Sequence, residues 1–341
     1  MGYLLLFDAF LDKYGILDYF KQTVKQEDKI MFKYTIDSRT RRERLETPDK
    51  RVRAVIDSDA ATEIDDHFAI SYALCAKDKL DIQAVIAAPF FKATVSSPEE
   101  GMTRSYEAIK NLFSLLEEKS DGVVFKGAPH FMPDRNTPVD TEGARKIIEL
   151  AHRAKDDGEL LYIIAIAALT NVASAILLDP SIIDCCTVVW LGGNAVEWHG
   201  DNNEYNLRGD LFASQTVFDC GIPLVQFPCQ MVTDHLITTG YELETRCQGC
   251  GKVGAHLLNH SLSEMKRWGN ESRVIWDIIT VAFFCVPEAF GSIIRTAPRL
   301  NDDKSWDISD NSRPEMRYIY SVNRDIVFRD MYARLRKYAA K

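Results

Sequence analysis

The sequence predicts an α/β fold, a mainly parallel β-sheet with helices on both faces in an open, Rossmann-like arrangement. Three observations predict it. Several short runs are apolar almost throughout, as in "ELLYIIAIA" (159–167), "CCTVVWLGG" (185–193) and "IPLVQFP" (222–228). A strand apolar on both sides is buried on both faces, which is the habit of parallel sheets. Amphipathic segments of helical period separate these runs, so strand and helix alternate from Arg51 onward. The composition, 46% hydrophobic and 27% charged over 341 residues, is that of a globular protein.

In chain order, "RVRAVID" is a β-branched strand ending at Asp57, and "DDHFAISYALCA" follows with Phe68, Tyr72 and Cys75 at helical spacing. "DIQAVIAAP" reads as a second strand stopped by Pro89. The segment "EEGMTRSYEAIKNLFSLLEE" puts Met102, Tyr106, Ile109 and Phe113 on one helical face; Ser96 or Ser97 can cap it and Pro98 suits its first turn. After the strand "ELLYIIAIA" comes the helix "NVASAILLDP", ended by Pro180, then the strand "CCTVVWLGG" running into a glycine turn. "DLFASQTVFDCG" is a helix with Asp210 as N-cap and Gly221 as its stop, and "IPLVQFP" is another strand. The first ~50 residues stand outside this rhythm: "DAFLDKYGILDYFKQTVKQ" has the pattern of a short amphipathic helix, and "RRERLETPDK" that of an arm. The expected organisation is an N-terminal extension over 1–50 and one α/β domain over 51–341.

A net charge of −9 argues against a nucleic-acid polymer or an anionic membrane surface as partner. The basic run "SRTRRERLE" (38–46) breaks that trend, and is expected to be a solvated arm or a contact to another subunit. The apolar opening "MGYLLLFDAFL" is interrupted by Asp8 and then Asp12-Lys13, short of the ~20 residues a membrane span needs. It lacks the basic start and small-residue cleavage site of a signal peptide. Of the eight cysteines, only Cys247 and Cys250 in "CQGC" have metal or redox spacing, and no second pair completes a zinc site. They are expected to pack, or to form a labile thiol pair, in a reducing cytoplasm.

The stretch "VIDSDAATEIDDHFAI" (55–70) is the chemically loaded one. A strand ending at Asp57 puts Asp59, Glu63, Asp65 and Asp66 in the loop and first helical turn at the sheet's carboxyl edge, where open α/β sheets bind ligands. The helix dipole offsets part of that charge. Like charges a few ångströms apart still raise one another's pKa, and a hard cation with oxygen ligands would resolve the conflict. N-capping combined with solvated acids is the plainer alternative.

Those residues, with others downstream, resemble the inosine–uridine-type nucleoside hydrolase family, whose aspartate signature is written DTDPGxDDA. The loop here is two residues longer, the form of a bacterial-type branch. "ALTNVASAI" (168–176) resembles the family's LTN turn, "WLGGNAVEW" followed by "NNEYNLRGD" its MGG and AEFN elements, "QMVTDHLITT" a late VT turn, and "VIWDIITVA" the element supplying a final aspartate. The matches keep family order from about Val52 to Glu288.

The resemblance implies a nucleoside hydrolase-like fold and a calcium-dependent N-ribohydrolase that splits a small-molecule nucleoside into base and ribose, as a homodimer or homotetramer. It implies Ca2+ held by Asp59, Asp66, Asp277 and the backbone carbonyl near Ile166. Asp59 would be the base that takes a proton from the attacking water, Asp65 would accept from a ribose hydroxyl beside Asp277, and Asp57 would support from the strand. Glu204 and Asn206 would hold ribose hydroxyls, with loop capping as their alternative role. Three positions depart from the pattern: Pro89 and Trp198 replace asparagines, and Trp276 replaces a histidine that assists base departure. Trp276 cannot donate a proton at neutral pH, but it can stack on a nucleobase, with Trp198, Phe90 or Phe91 as a second plate. A purine leaning follows, and His199 is a candidate substitute acid. Two other classes compete. One is a calcium- and ribosyl-binding family member without turnover, a sensor or interaction protein. The other is a dehalogenase-like phosphohydrolase, suggested by "DSD" but lacking its downstream lysine and acidic pair.

Overall fold

The computed structural model describes residue 32 and residues 34–341, and Lys33–Lys341 form one compact unit. The expected amphipathic helix near the N-terminus lies outside the described residues. The chain runs α1 (Ser38–Leu45), β1 (Val52–Ser58), α2 (Asp65–Cys75), β2 (Leu80–Ala87), α3 (Pro98–Leu115), β3 (Val124–Lys126), α4 (Glu142–Asp156), β4 (Leu161–Ala165), α5 (Thr170–Leu178) and β5 (Cys186–Leu191). It continues with α6 (Tyr205–Gly209), α7 (Leu211–Asp219), β6 (Leu224–Phe227), β7 (Ile237–Thr239), α8 (Gly240–Arg246), α9 (Gly251–Trp268), β8 (Ser272–Val274) and α10 (Ile278–Cys285). The last elements are β9 (Phe290–Thr296), β10 (Arg299–Leu300), β11 (Trp306–Asp307), β12 (Glu315–Val322) and α11 (Arg324–Ala339).

The central sheet has the order β3-β2-β1-β4-β5-β6-β12-β9, parallel except for β9, which runs antiparallel to β12 at one edge. β7 pairs with β8, and β10 with β11, in separate two-stranded ribbons. The apolar runs are buried as expected: β4 and β5 are buried along their whole length. Strand order reverses between β1 and β4, so the carboxyl ends of these two strands border the crevice where such sheets bind ligands. There the Ile166 N–H donates to the Asp57 carbonyl over 2.9 Å, locking the two strand ends together.

Two helix groups cover the sheet: α2 touches α9, α10 and α11, while α5 touches α4 and α7. α2 is buried at every residue from Asp65 to Leu74, because the sheet lies on one side and those helices on the other. Its start therefore carries acids that are under protein rather than in water. The caps of α3 and α7 follow the sequence: the Ser97 hydroxyl accepts from Glu100 N–H, and the Asp210 carboxylate from Ala213 N–H.

The basic run at 38–46 is not a solvated arm. It forms α1, capped by Asp37, and buries Arg41 and Leu45. Arg41 Nη2 donates to the Gly221 carbonyl over 2.7 Å, and Arg42 Nε to Glu315 on β12 over 2.8 Å. Arg41 and Arg42 are thus bound on this chain's own edge, which local sequence could not reveal because the partners lie about 180 and 270 positions away, while Arg39 stays exposed.

Candidate active site

A cavity of about 480 Å³ opens at the switch point and is lined by Asp59, Asp65, Asp66, Asp277, Trp276 and Glu204, among others. Ile166, Trp198 and Asn206 also line it, so the expected metal-ligating and ribose-holding positions and both tryptophans border one space. Asp65 and Asp66 come from the first turn of α2, and Asp277 precedes α10, whose packing on α2 brings the late aspartate to the early pair.

One carboxylate oxygen each from Asp65, Asp66 and Asp277 lies within 4.8 Å of the others, and all three residues are buried. Oxygens sharing one cation at about 2.3–2.6 Å can be no farther apart than roughly that. Asp65 Oδ1 is buried with no hydrogen-bond partner, while Asp66 Oδ1 accepts from the Ser58 hydroxyl over 2.6 Å. An all-oxygen donor set whose Asp65 Oδ1 has no hydrogen bond, only the Arg273 guanidinium at 3.7 Å, fits a hard divalent cation. The grouping differs from the expected one: Asp65 stands in the tight trio, and Asp59 lines the cavity outside it.

Burial dominates the electrostatics. It raises the carboxyls of Asp59, Asp66 and Asp277 well above the usual range, and the charges of neighbouring aspartates add to this. Asp65 is pushed up to about 7 by burial and then by Glu63, with the Arg273 guanidinium working against both. Asp57 is pushed up to about 7 by burial alone. The hydrogen bond from Asn171 Nδ2 to Asp57 Oδ1, 2.7 Å long, opposes that shift, and Asp57 Oδ2 is left without a partner. Asn171 also accepts from Ala128 N–H over 2.8 Å, so the asparagine of "ALTN" orients the strand-end acid.

Glu204 is the N-cap of α6. Its Oε1 accepts from Asn206 N–H, and its Oε2 from the N–H groups of Leu207 and Gly193. Gly193 reaches that position at φ +71°, a conformation suited to glycine. Asn206 Nδ2 donates to the Leu191 carbonyl over 3.0 Å. The capping role is thus realised, and both residues still border the cavity. Trp276 is half-buried and Trp198 is 39% exposed.

Several expected neighbours are elsewhere. Phe90 is buried against Gly101 and Phe91 is 57% exposed, and neither lines the cavity. His199 is exposed and Pro89 is buried, and both lie outside the lining. Cys247 and Cys250 are buried free thiols away from the cavity, their pKa values raised by burial.

Four further residues contribute, and of these His67 alone, directly after the paired aspartates, had a signal in the local sequence. Lys92 lines the cavity and donates to the Thr62 carbonyl. Arg273 on β8 meets Glu63 over 3.2 Å, Asp65 over 3.7 Å and Glu264 more closely still. His67 and His256 are joined at 2.8 Å, and burial pushes them down to about 3 and about 4, so both are neutral imidazoles near neutral pH.

Sheet order and cavity together define the class: an open α/β protein with a carboxylate-lined ligand site at its switch point. A family model for inosine-uridine preferring nucleoside hydrolases matches residues 54–329, and the chain belongs to that family of enzymes. A probable uridine nucleosidase 2 of Arabidopsis thaliana is 29% identical over 134 residues, a stretch covering 38% of this chain and 40% of that protein. In fold, the chain is similar to a purine-preferring ribonucleoside hydrolase from Gardnerella vaginalis, with TM-score 0.67, 19% identity, and 84% of this chain and 99% of that one covered. A plant nucleoside hydrolase superposes with TM-score 0.64 and 20% identity over the same shares of the two chains.

Proposed function

We propose that this enzyme hydrolyses the N-glycosidic bond of ribonucleosides, with a leaning to purines, at a calcium ion held by aspartates. The observation that carries the proposal is the buried trio Asp65, Asp66 and Asp277 beside Asp59 in a nucleoside-sized cavity. Asp66 and Asp277 serve as ligands in this reading, supported by the family pattern and by their place in the buried trio. Asp59 and the Ile166 carbonyl complete the set expected from the family pattern, and Asp65 either joins it or takes a ribose hydroxyl. When bound, calcium would orient the sugar hydroxyls and make water a better nucleophile near neutral pH.

The chain's own residues do the rest. Asp59 takes the proton of the attacking water at a carboxylate oxygen. The negative cavity wall favours the cationic sugar that forms as the bond breaks. Glu204 and Asn206 border the ribose, with their caps holding them rigid. Trp276 and Trp198 offer flat faces to the base, and tryptophan is the reason for the purine leaning. We also propose that the catalytic domain starts with α1, after an N-terminal extension, and works in the cytoplasm as a homodimer or homotetramer. No described helix is long and apolar enough to cross a membrane.

The test is release of free base from a nucleoside panel, with and without a chelator. Base should appear fastest from purine nucleosides and stop on chelation. Thermal stabilisation by nucleosides with no base released from any of them would sink the enzyme proposal in favour of a non-catalytic binder.

A further inference from the structure

We propose that His256 on α9 is a positioning residue for the metal-capable loop, acting through His67 on the carbonyl of Ala60. The proposal deepens the calcium-site reading above and rests on it. Its starting point is a departure from the family signature: the residue after the paired aspartates is His67, where DTDPGxDDA has alanine, and the preceding loop is two residues longer.

The geometry joins the two departures. His67 is buried, and its Nε2 lies 2.6 Å from the carbonyl oxygen of Ala60, the residue that follows Asp59. A carbonyl can only accept, so Nε2 carries the proton, and in the imidazole tautomer that geometry selects Nδ1 is the acceptor. His256 Nε2–H then donates to that Nδ1 over 2.8 Å, and the two rings lie nearly coplanar, 3° apart. His256 therefore fixes which nitrogen of His67 bears hydrogen, and His67 fixes where the extra length of the loop folds. Without the outer donor, His67 can place its proton on Nδ1 and release the carbonyl. Three other bonds hold this stretch: Thr62 N–H donates to the Asp59 carbonyl over 2.8 Å, Ala61 N–H to Ser105 Oγ over 3.3 Å, and Lys92 Nζ to the Thr62 carbonyl. The same α9–β8 segment grips the loop's far end, where Arg273 meets Glu63 and Asp65. Outer partners that orient metal-binding groups typically set 10–100-fold in affinity or activity.

The experiment compares the full chain with His256→Leu, His256→Gln and His67→Ala. Its readouts are calcium affinity by calorimetry, kcat and KM at saturating calcium, and amide hydrogen exchange over 59–64. His256→Leu and His67→Ala should each weaken calcium about tenfold and lower kcat by a similar factor. KM should stay put, and exchange at Ala61 and Thr62 should quicken. His256→Gln, whose amide N–H can donate to His67, should stay within about threefold of the parent. Wild-type calcium affinity and exchange in either His256→Leu or His67→Ala overturn the proposal, as does a glutamine variant no better than leucine. If His256→Leu does not fold, His67→Ala decides alone. If the parent itself binds no calcium, the proposed function fails, and the exchange measurement still decides the clamp.

Discussion

Trp276 shows how one side chain can move a substrate question. It stands immediately before Asp277, half-buried on the cavity wall, where it can offer a face but no proton. Aromatic stacking on a base is worth about 1–3 kcal/mol. Trp276→Ala should therefore raise KM for a purine nucleoside about tenfold and leave KM for uridine less affected, as steady-state kinetics on the two substrates will show. Equal losses on both would place the indole in packing rather than in base recognition. Glu204 makes the complementary point. Its carboxylate accepts from three backbone N–H groups, which fix it at the cavity rim.

Among elements, α1 is the one that local pattern misassigned. Four arginines in nine residues look like a solvated run, yet Leu45 is fully buried and Arg41 reaches a backbone carbonyl across the chain. Leu45→Ala should cost about 2–5 kcal/mol, the usual range for a leucine truncated inside a core. Urea denaturation of the variant measures it, and a loss under ~1 kcal/mol would mean that α1 is only loosely attached. α2 illustrates the opposite case. Its sequence announces a helix after an acidic loop, and the structure keeps that helix. What pattern could not supply was its burial on every side, which pushes the carboxyls of its first-turn acids upward.

At the scale of the whole molecule, buried carboxyls couple stability to pH. Asp57 and Asp65 have folded values near 7 against 3.8 for the free group. Between those values the folded state binds more protons than the unfolded one, so stability is full below about 3.8 and falls as pH rises towards about 7. The calcium-free protein should therefore melt on the order of 5 °C lower at pH 8 than at pH 5.5 in thermal scans. Saturating calcium, which binds the ionised carboxylates of the folded state, should raise the melting temperature and reverse that slope. A calcium-free melting temperature that climbs across the same interval would show that these acids are not held protonated.

The sequence alone determined the alternation of buried strands and helices, because hydrophobic period and strand-stopping prolines and glycines act over a few residues. It also placed a group of acids together, because a strand end and a helix start pin Asp57, Asp59, Asp65 and Asp66 to the sheet's carboxyl edge. Only the tertiary structure decided which acids stand together. α10 packed on α2 brings Asp277 to Asp65 and Asp66, and leaves Asp59 at the side. It likewise decided that Arg273, Lys92 and the His67–His256 pair hold the loop at 59–66. The physical reason is range. Dihedral preference and apolar periodicity are written in neighbouring residues, whereas the acid cluster and its supports are contacts between segments some 30 to 210 residues apart, fixed only when the core closes.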